Sequence, residues 1–347
     1  MHPVSTHLRL SERDESMHPV EAAKNFNESM YFNLFDHEQK IGGWFRLGNR
    51  PNEGHAEMSC CLYLPNGRIG FMYQRPELHH NDGFDAAGMK FEVVEPFQQQ
   101  RLSYKGMLCV LDEPQQMENP RKAFTSNPIH PCEVSLDFSG IAPPFGGEPV
   151  DANGKPLELD AETGFARGHY EQHLAGQGRI KIGNEEFALN GFGLRDHSWG
   201  PRYWQNIHWY RWLPLVFGKD LAMMLSIVTR KDGTRSTWGV VMTRDKQGSA
   251  RNDMVSDIQL RSDYDEHRQA IEQTALIKTE GGATYELSGK ALSLIPLRNR
   301  RVDSNGNELH TRITEAMTEF RCNGLTGYGM AEYLDQMVNG QPAGYPG

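Results

Sequence analysis

The sequence predicts an all-β protein in which antiparallel strands form a sandwich or a barrel. Apolar and polar residues alternate over many segments, and a period of two is typical of strands that bury one face. Turn residues separate these segments, and 35 of the 347 residues are glycine. Helical periodicity is sparse, so strands at regular spacing dominate the pattern.

The clearest hairpin lies near residue 66. Apolar residues alternate from Met58 to Leu64, Pro65-Asn66-Gly67 predicts a turn, and alternation resumes from Ile69 to Tyr73. The same pattern recurs at three later turns, which are Gly183-Asn184, Asp232-Gly233 and Asn323-Gly324. Only residues 260–277 suggest a longer helix, and their apolar spacing is poor.

The length of the chain is sufficient for two domains. The polar residues 1–20 are expected to form a disordered leader. Strand alternation up to residue 182 precedes a tryptophan-rich segment, so we expect one β domain at 21–182 and a second at 183–347.

Composition argues against several classes of partner. The net charge is −9 and no basic block occurs, which disfavours nucleic acid. No apolar stretch approaches the ~18 residues of a membrane span, and no apolar segment of a secretory signal is present. The five cysteines lack CxxC spacing, so we expect reduced thiols in the cytoplasm. His79 and His80 lack a third ligand at a recognisable interval, so no metal site is expected.

Residues 191–212 concentrate the chemistry. They contain four of the six tryptophans, interleaved with Arg, Asp and His. This combination suits a site where a titratable group acts as an acid on an apolar substrate. The neighbouring aromatic faces would stabilise the positive charge that develops on that substrate. Asp196 and His197 are adjacent, and on a strand they would point to opposite faces. The sequence therefore leaves open which one faces a ligand and which one braces the fold.

Residues 191–200 read Gly-Phe-Gly-Leu-Arg-Asp-His-Ser-Trp-Gly. The segment resembles the central motif of AttH-like proteins and carotenoid hydratases, in which Gly-x-Gly precedes Asp-His-Asn/Ser-Trp-Gly. Weaker similarity to bacterial members of that group occurs at Tyr31-Phe32-Asn33, at 54–72 and at 327–333, so the likeness spans roughly residues 25–335. Arg195 departs from the hydratase pattern, where an aromatic residue or His is expected, which indicates a different substrate.

The resemblance implies two lipocalin-like β-barrel domains packed together around an apolar ligand cavity. It also implies chemistry on hydrophobic substrates, such as hydration of isoprenoid double bonds, terpenoid cyclisation or cycloaddition.

The candidate residues have specific predicted roles. His197 or Asp196 would transfer the proton, Arg195 would orient a polar substituent, and Tyr210 would relay a proton. The substrate-binding residues are predicted to be Trp199, Trp204, His208, Trp209, Trp212, Arg202, Glu332 and Tyr31. Each of these side chains could instead be structural, as a core aromatic, a surface charge or a buried ion pair.

These features favour an acid–base enzyme that acts on a hydrophobic small molecule without a cofactor. The substrate would be a terpenoid, a steroid or an aromatic metabolite, and the enzyme a hydratase or dehydratase, an isomerase or a cyclase. Gly191-Phe192-Gly193 lacks the strand–turn–helix context of dinucleotide binding, so no nicotinamide or flavin is expected. One alternative is a non-catalytic lipocalin-like carrier of apolar ligands, and a weaker one is a carbohydrate-active sandwich that pairs Asp196 with Glu332. A homodimer remains open.

Overall fold

The structure, a computed structural model, describes residues 7–158, 165–302 and 306–346. The first sheet contains β1 (His7–Arg9), β2 (Phe26–Asp36), β3 (Ile41–Arg50), β4 (His55–Tyr63), β5 (Ile69–Gln74), β6 (Phe84–Ala86), β7 (Met89–Glu95), β8 (Gln99–Leu111), β9 (Ile129–Gly140), β10 (Phe145–Val150), β11 (Gly168–Ile182) and β12 (Glu185–Pro201).

The second sheet contains β13 (Trp209–Gly218), β14 (Leu221–Thr229), β15 (Arg235–Arg244), β16 (Ala250–Tyr264), β17 (Ala270–Thr279), β18 (Thr284–Val302), β19 (Glu308–Cys322), β20 (Leu325–Val338) and β21 (Gln341–Pro342). The α-helix α1 (Pro120–Ser126) and short 3-10 turns connect strands.

Both sheets close into barrels, and all their strand pairs are antiparallel. In the first sheet, β9 pairs with both β8 and β11, which closes a ring of β11, β12, β2, β3, β4, β5, β8 and β9. In the second sheet, β13 pairs with β20 and closes a ring from β13 to β20. We call these rings the first and the second barrel. They confirm the predicted all-β fold of two lipocalin-like barrels.

Strand alternation separates the interior of each barrel from the seam between them. In β2, Met30, Phe32 and Leu34 pack into the core of the first barrel. The intervening Tyr31 and Phe35 belong to an apolar cluster that includes residues of the second barrel, namely Ile295, Met317, Tyr328 and Met330. Burial of apolar surface at this seam holds the barrels together.

The predicted hairpin turns are confirmed. Pro65-Asn66-Gly67 joins β4 to β5, and Asn323-Gly324 joins β19 to β20. Asn323 and Gly324 have φ of 52° and 77°, the left-handed values that the tight turn of a two-residue hairpin requires.

The helix suggested at residues 260–277 is wrong. This stretch forms the end of β16 and most of β17, joined by a turn in which the Asp265 carboxylate accepts from the backbone N–H of His267 and Gln269. Within β17, Gln273, Ala275 and Ile277 alternate inward, a period of two rather than 3.6.

The expected disordered leader is ordered from His7 onward, while residues 1–6 lie outside the described residues. β1 pairs with β10, and a 3-10 turn over Glu12–Glu15 brings the Glu15 carboxylate into a buried ion pair with Arg195. This buried pair fixes the segment to the first barrel.

The expected domain boundary after residue 182 falls between two strands of one barrel. β12 pairs with β11 from Glu185 to Trp199 and with β2 on its other edge, so it belongs to the first barrel. We propose that the domains divide between Pro201 and Trp209, where the chain passes from one sheet to the other. Within the described ranges, no helix has the length and apolar character needed to cross a membrane.

Candidate active site between the two barrels

A cavity of about 1570 Å³ lies between the outer faces of the two barrels. The aromatic residues in its walls include Tyr31, Trp44, Phe71, Phe165, Trp204, Tyr210, Trp212 and Trp238. A cavity at the junction of two barrels is a typical location for a small-molecule site.

The wall from the first barrel is one row of cross-strand neighbours. Glu171 of β11 lies opposite Asp196 of β12, which lies opposite Tyr31 of β2, and the row continues through Arg46 to Ser59. Directly opposite residues on one face of a sheet lie close together. The row therefore places two carboxyl groups, a phenol and a guanidinium along a single line.

The wall from the second barrel is a similar row. Trp212 of β13 lies between Ser226 of β14 and Glu332 of β20, and Glu332 lies opposite Glu315 of β19. Trp212 Nε1 donates a hydrogen bond of 2.8 Å to Glu171 Oε1 and so ties the two walls together.

Three carboxyl groups in the cavity are neutral acids near pH 7. Burial raises the pKa of Glu332 to about 8; the charge of Asp196 acts in the same direction and that of Arg46 opposes it. Burial likewise raises the pKa of Glu171 and that of Glu315 to about 8. The Tyr210 hydroxyl donates a hydrogen bond to Glu332 Oε1. A neutral carboxylic acid at this pH can donate a proton.

Asp196 behaves differently from these acids because His169 accompanies it. His169 Nε2 lies 2.5 Å from Asp196 Oδ2. Burial would raise the pKa of Asp196, but the charge and hydrogen bond of His169, with the charge of Arg202, outweigh it and hold that pKa below its usual value. The cavity therefore holds an ionised carboxylate close to neutral carboxylic acids.

Seven of the predicted site residues lie on the cavity wall. These are Tyr31, Asp196, Arg202, Trp204, Tyr210, Trp212 and Glu332. Five of them come from residues 196–212, and the fold brings Tyr31 of β2 and Glu332 of β20 to them.

His197 is not at the cavity, contrary to the expectation that it could transfer the proton. Its side chain is fully buried, with Nε2 3.0 Å from Glu28 Oε1 and Nδ1 3.3 Å from the Tyr170 hydroxyl. Strand alternation directs it to the face opposite Asp196. Its contacts are those of a structural residue.

Arg195 and Trp199 share that face and do not line the cavity, contrary to the expectation that they contact the substrate. Arg195 is fully buried and donates to Glu15 and Gln172. The Trp199 ring stacks on His18 with centroids 3.8 Å apart. Both side chains hold the N-terminal segment against the first barrel.

His208 and Trp209 also lie away from the cavity lining. Trp209 packs against Arg211, whose Cζ lies 4.9 Å from the ring, on the face opposite Tyr210. The His208 backbone N–H donates to Thr229 O just before β13 begins.

The sequence analysis missed His169, Glu171, Glu315 and the two cavity tryptophans outside the motif, Trp44 and Trp238. The alternating triplet His169-Tyr170-Glu171 was the available signal, because it places two titratable side chains on one strand face.

Two groups of residues have the geometry to hold a metal ion among the described residues. His169, Glu171 and Asp196 offer ligand atoms within 4.8 Å of one another at the cavity, and His18, Glu28 and His197 do so inside the first barrel. The adjacent His79 and His80 are exposed and pair only with Glu77 and Asp82.

A family model described as "Domain of unknown function (DUF7064)" matches residues 11–337. No curated protein matches the sequence. Among solved structures, an AttH-like protein of Nitrosomonas europaea has a TM-score of 0.53 at 14% identity, over 95% of this chain and 97% of that chain.

Two further solved structures are similar. CghA with Sch210972 has a TM-score of 0.54 at 10% identity, over 90% of this chain and 89% of that one. Kievitone hydratase from Nectria haematococca has a TM-score of 0.50 at 8% identity, over 88% of each chain. At such identities the similarity concerns the fold, and it confirms the resemblance to lipocalin-like AttH proteins.

Proposed function

The chain belongs to the DUF7064 family, and we propose that it is an acid–base enzyme that transforms a hydrophobic small molecule between its barrels without a cofactor. The observation that carries the proposal is the contrast between Glu332, a neutral acid near pH 7, and Asp196, an ionised carboxylate, in one aromatic cavity. Carboxyl groups whose pKa values are driven apart are typical acid and base partners.

In this proposal Glu332 donates its proton to a double bond or to a leaving hydroxyl of the substrate. Tyr210 holds the other oxygen of that carboxyl group and so orients the proton. The faces of Trp212 and Trp238 stabilise the positive charge that develops on the substrate.

The Asp196–His169 pair then accepts a proton, either from water that adds to the cation or from a neighbouring carbon. Protonation of a double bond followed by addition of water is hydration. Loss of a protonated hydroxyl as water followed by loss of a carbon-bound proton is dehydration. Protonation of a double bond followed by loss of a different carbon-bound proton is isomerisation. Attack by a second double bond on the cation closes a ring before that proton is lost.

The substrate class in this proposal is a terpenoid, a steroid or an aromatic metabolite, because the walls offer aromatic surface. One protein with a similar fold is by name a hydratase, and another was solved with Sch210972 bound, which supports chemistry in this cavity. A carrier of apolar ligands would use the same walls but would have no need of the acid and base.

The test uses the ligand that copurifies with the full-length protein, identified by mass spectrometry. We expect incubation in D₂O to yield a product that carries deuterium on carbon or that has gained the mass of one added water molecule. Glu332→Gln should slow this conversion about 100-fold or more, because it removes the acid. Glu286→Gln, the same change on an exposed strand position of the second barrel, should leave the rate unchanged. Recovery of unchanged, unlabelled ligand from the wild-type protein would favour the carrier.

A further inference from the structure

The cavity is rich in cations although the chain as a whole is acidic. Arg46, Arg75 and Arg202 line it from the first barrel side. The second barrel adds Arg230 and Lys231 from one turn and Arg298 and Arg300 from β18. The acidic lining residues include three that are neutral near pH 7, so the lining has an excess of positive charge in a chain of net charge −9.

Among the described residues, Arg202 has no carboxylate within hydrogen-bond distance. It is only 6% exposed, and its guanidinium donates to neutral acceptors, namely Phe165 O at 3.1 Å, Ser29 Oγ at 3.3 Å and Ser198 Oγ at 2.6 Å. Burial lowers the pKa of Arg202 to about 9, and the nearby charges of Arg46 and Arg50 act in the same direction. The charges of Asp196 and Glu57 oppose this shift only in part. A buried cation in this position is stabilised by an added anion.

Arg46 lies beside Arg202 and also has an unused donor. Its Nη1 donates to Glu57 at 3.3 Å, while its Nη2 is buried without an acceptor among the described residues. Glu57 is shared with Arg50 and Arg75, so one carboxylate serves three guanidiniums. The Arg46 and Arg202 Cζ atoms lie 5.7 and 5.4 Å from the ring of Trp204, which places both groups around one aromatic wall.

We propose that the substrate is an acid, in which an apolar skeleton carries a carboxylate or a phosphate that binds to Arg46 and Arg202. The inference rests on the proposed function for the location of the substrate, and it adds the class of molecule. Guanidinium groups suit such oxyanions because their N–H donors form a planar fork. The charge of Arg46 lowers the pKa of Glu332, so a bound anion that offsets this charge favours the protonated form of Glu332.

The experiment compares three probes of equal chain length, decanoate, decyl phosphate and decan-1-ol. The anions are kept below their micelle concentrations and the alcohol below its solubility limit. Binding to the full-length protein is followed by tryptophan fluorescence, because Trp44, Trp204, Trp212 and Trp238 line the cavity. We expect at least one anion to bind about tenfold or more tightly than the alcohol, the usual effect of a charge-assisted hydrogen bond. The tighter of the two anions identifies the head group.

Arg46→Gln should abolish this preference, whereas Arg101→Gln, on a half-exposed strand position of the same barrel outside the cavity lining, should preserve it. Equal binding of the alcohol and both anions to the wild-type protein would overturn the inference, and this comparison decides it even if Arg46→Gln does not fold. If the protein prefers an anion but does not convert its copurifying ligand, the proposed function fails and the anion site at Arg46 and Arg202 remains. If the protein converts that ligand but shows no preference for an anion, the anion site fails and the proposed function remains.

Discussion

At the scale of single residues, three neighbours in β12 serve two separate regions of the molecule. Asp196 faces the cavity, while Arg195 and His197 face the N-terminal segment and the interior. Strand geometry makes this separation unavoidable, because successive side chains leave opposite faces. The motif that resembles AttH-like proteins therefore combines one cavity residue with two structural anchors.

This separation predicts opposite effects for adjacent substitutions. His197→Ala should lower the free energy of unfolding by about 3 kcal/mol or more, because Glu28 loses one partner of a buried pair. Asp196→Asn should cost less stability, because the Asp196 side chain is 21% exposed and the amide oxygen can still accept from His169. It should slow turnover of the identified ligand about 100-fold, because it removes the proposed base. A stable His197→Ala protein without activity would instead restore His197 as the catalytic group.

The loss of stability at acidic pH tests the contact between His197 and Glu28. Burial would raise the pKa of Glu28, but hydrogen bonds and charges of His18 and His197 lower it to about 2. Because its pKa is lower in the folded state, the Glu28 carboxylate stabilises the protein at pH values above 4.5, the pKa in the unfolded state. That contribution is lost as the pH falls toward about 2. The His197→Ala protein should show a smaller loss over this range.

At the scale of elements, β12 connects the site to the core because its backbone approaches β2 closely. A Cβ atom added at Gly193 would lie 1.9 Å from Asn33 O, and one added at Gly191 would lie 2.0 Å from Phe35 O. The Asn33 Oδ1 atom also accepts from the Leu194 backbone N–H at 2.8 Å. Glycine is therefore required here for the close approach of two strands.

We expect Gly193→Ala to lower the free energy of unfolding by about 1–3 kcal/mol, because the backbone of β2 or β12 must shift. Urea unfolding measures this cost. Gly83→Ala is the matched control, since nothing lies within 4 Å of a Cβ atom added there. Equal stability of the two variants would contradict a tight contact between β2 and β12.

The elements also show what the sequence could predict. The hairpins were predictable because a turn such as Asn323-Gly324 and its flanking alternation are local signals. The pairing of Asp196 with Tyr31 joins residues far apart in the chain, and no local pattern specifies it. Alternation predicted that Asp196 and His197 would separate, but which face meets the second barrel depends on packing of the whole molecule. For the same reason Glu171 and Glu315 were missed.

At the scale of the whole molecule, the two barrels bury acids that neither would bury alone. Glu171 comes from the first barrel, and Glu315 and Glu332 come from the second. An apolar cluster that includes Phe35 of the first barrel and Met330 of the second holds the barrels together beside the cavity. Packing of the barrels therefore creates the environment that keeps these acids neutral.

This environment predicts that stability falls as the pH rises from about 4.5 to about 8. The pKa values of Glu171, Glu315 and Glu332 are about 8 in the folded state and 4.5 in the reference state. A raised pKa of an acid means that its stabilising contribution is complete below about 4.5 and is lost as the pH rises through about 8. Between these values each such group lowers the free energy of unfolding by about 1.4 kcal/mol per pH unit.

Glu315→Gln isolates one of these groups, because burial alone raises the pKa of Glu315. The amide cannot ionise, so the pH dependence of the unfolding free energy between about pH 6 and 8 should become shallower by about 1.4 kcal/mol per pH unit. Urea unfolding at a series of pH values measures the slope, and Glu286→Gln, on an exposed position of the same barrel, should leave it unchanged. If the unfolding free energy of the wild-type protein does not change over this pH range, the acids ionise near their ordinary pKa of 4.5. The cavity would then admit enough water to stabilise their charge, and the general acid proposed for catalysis would be absent.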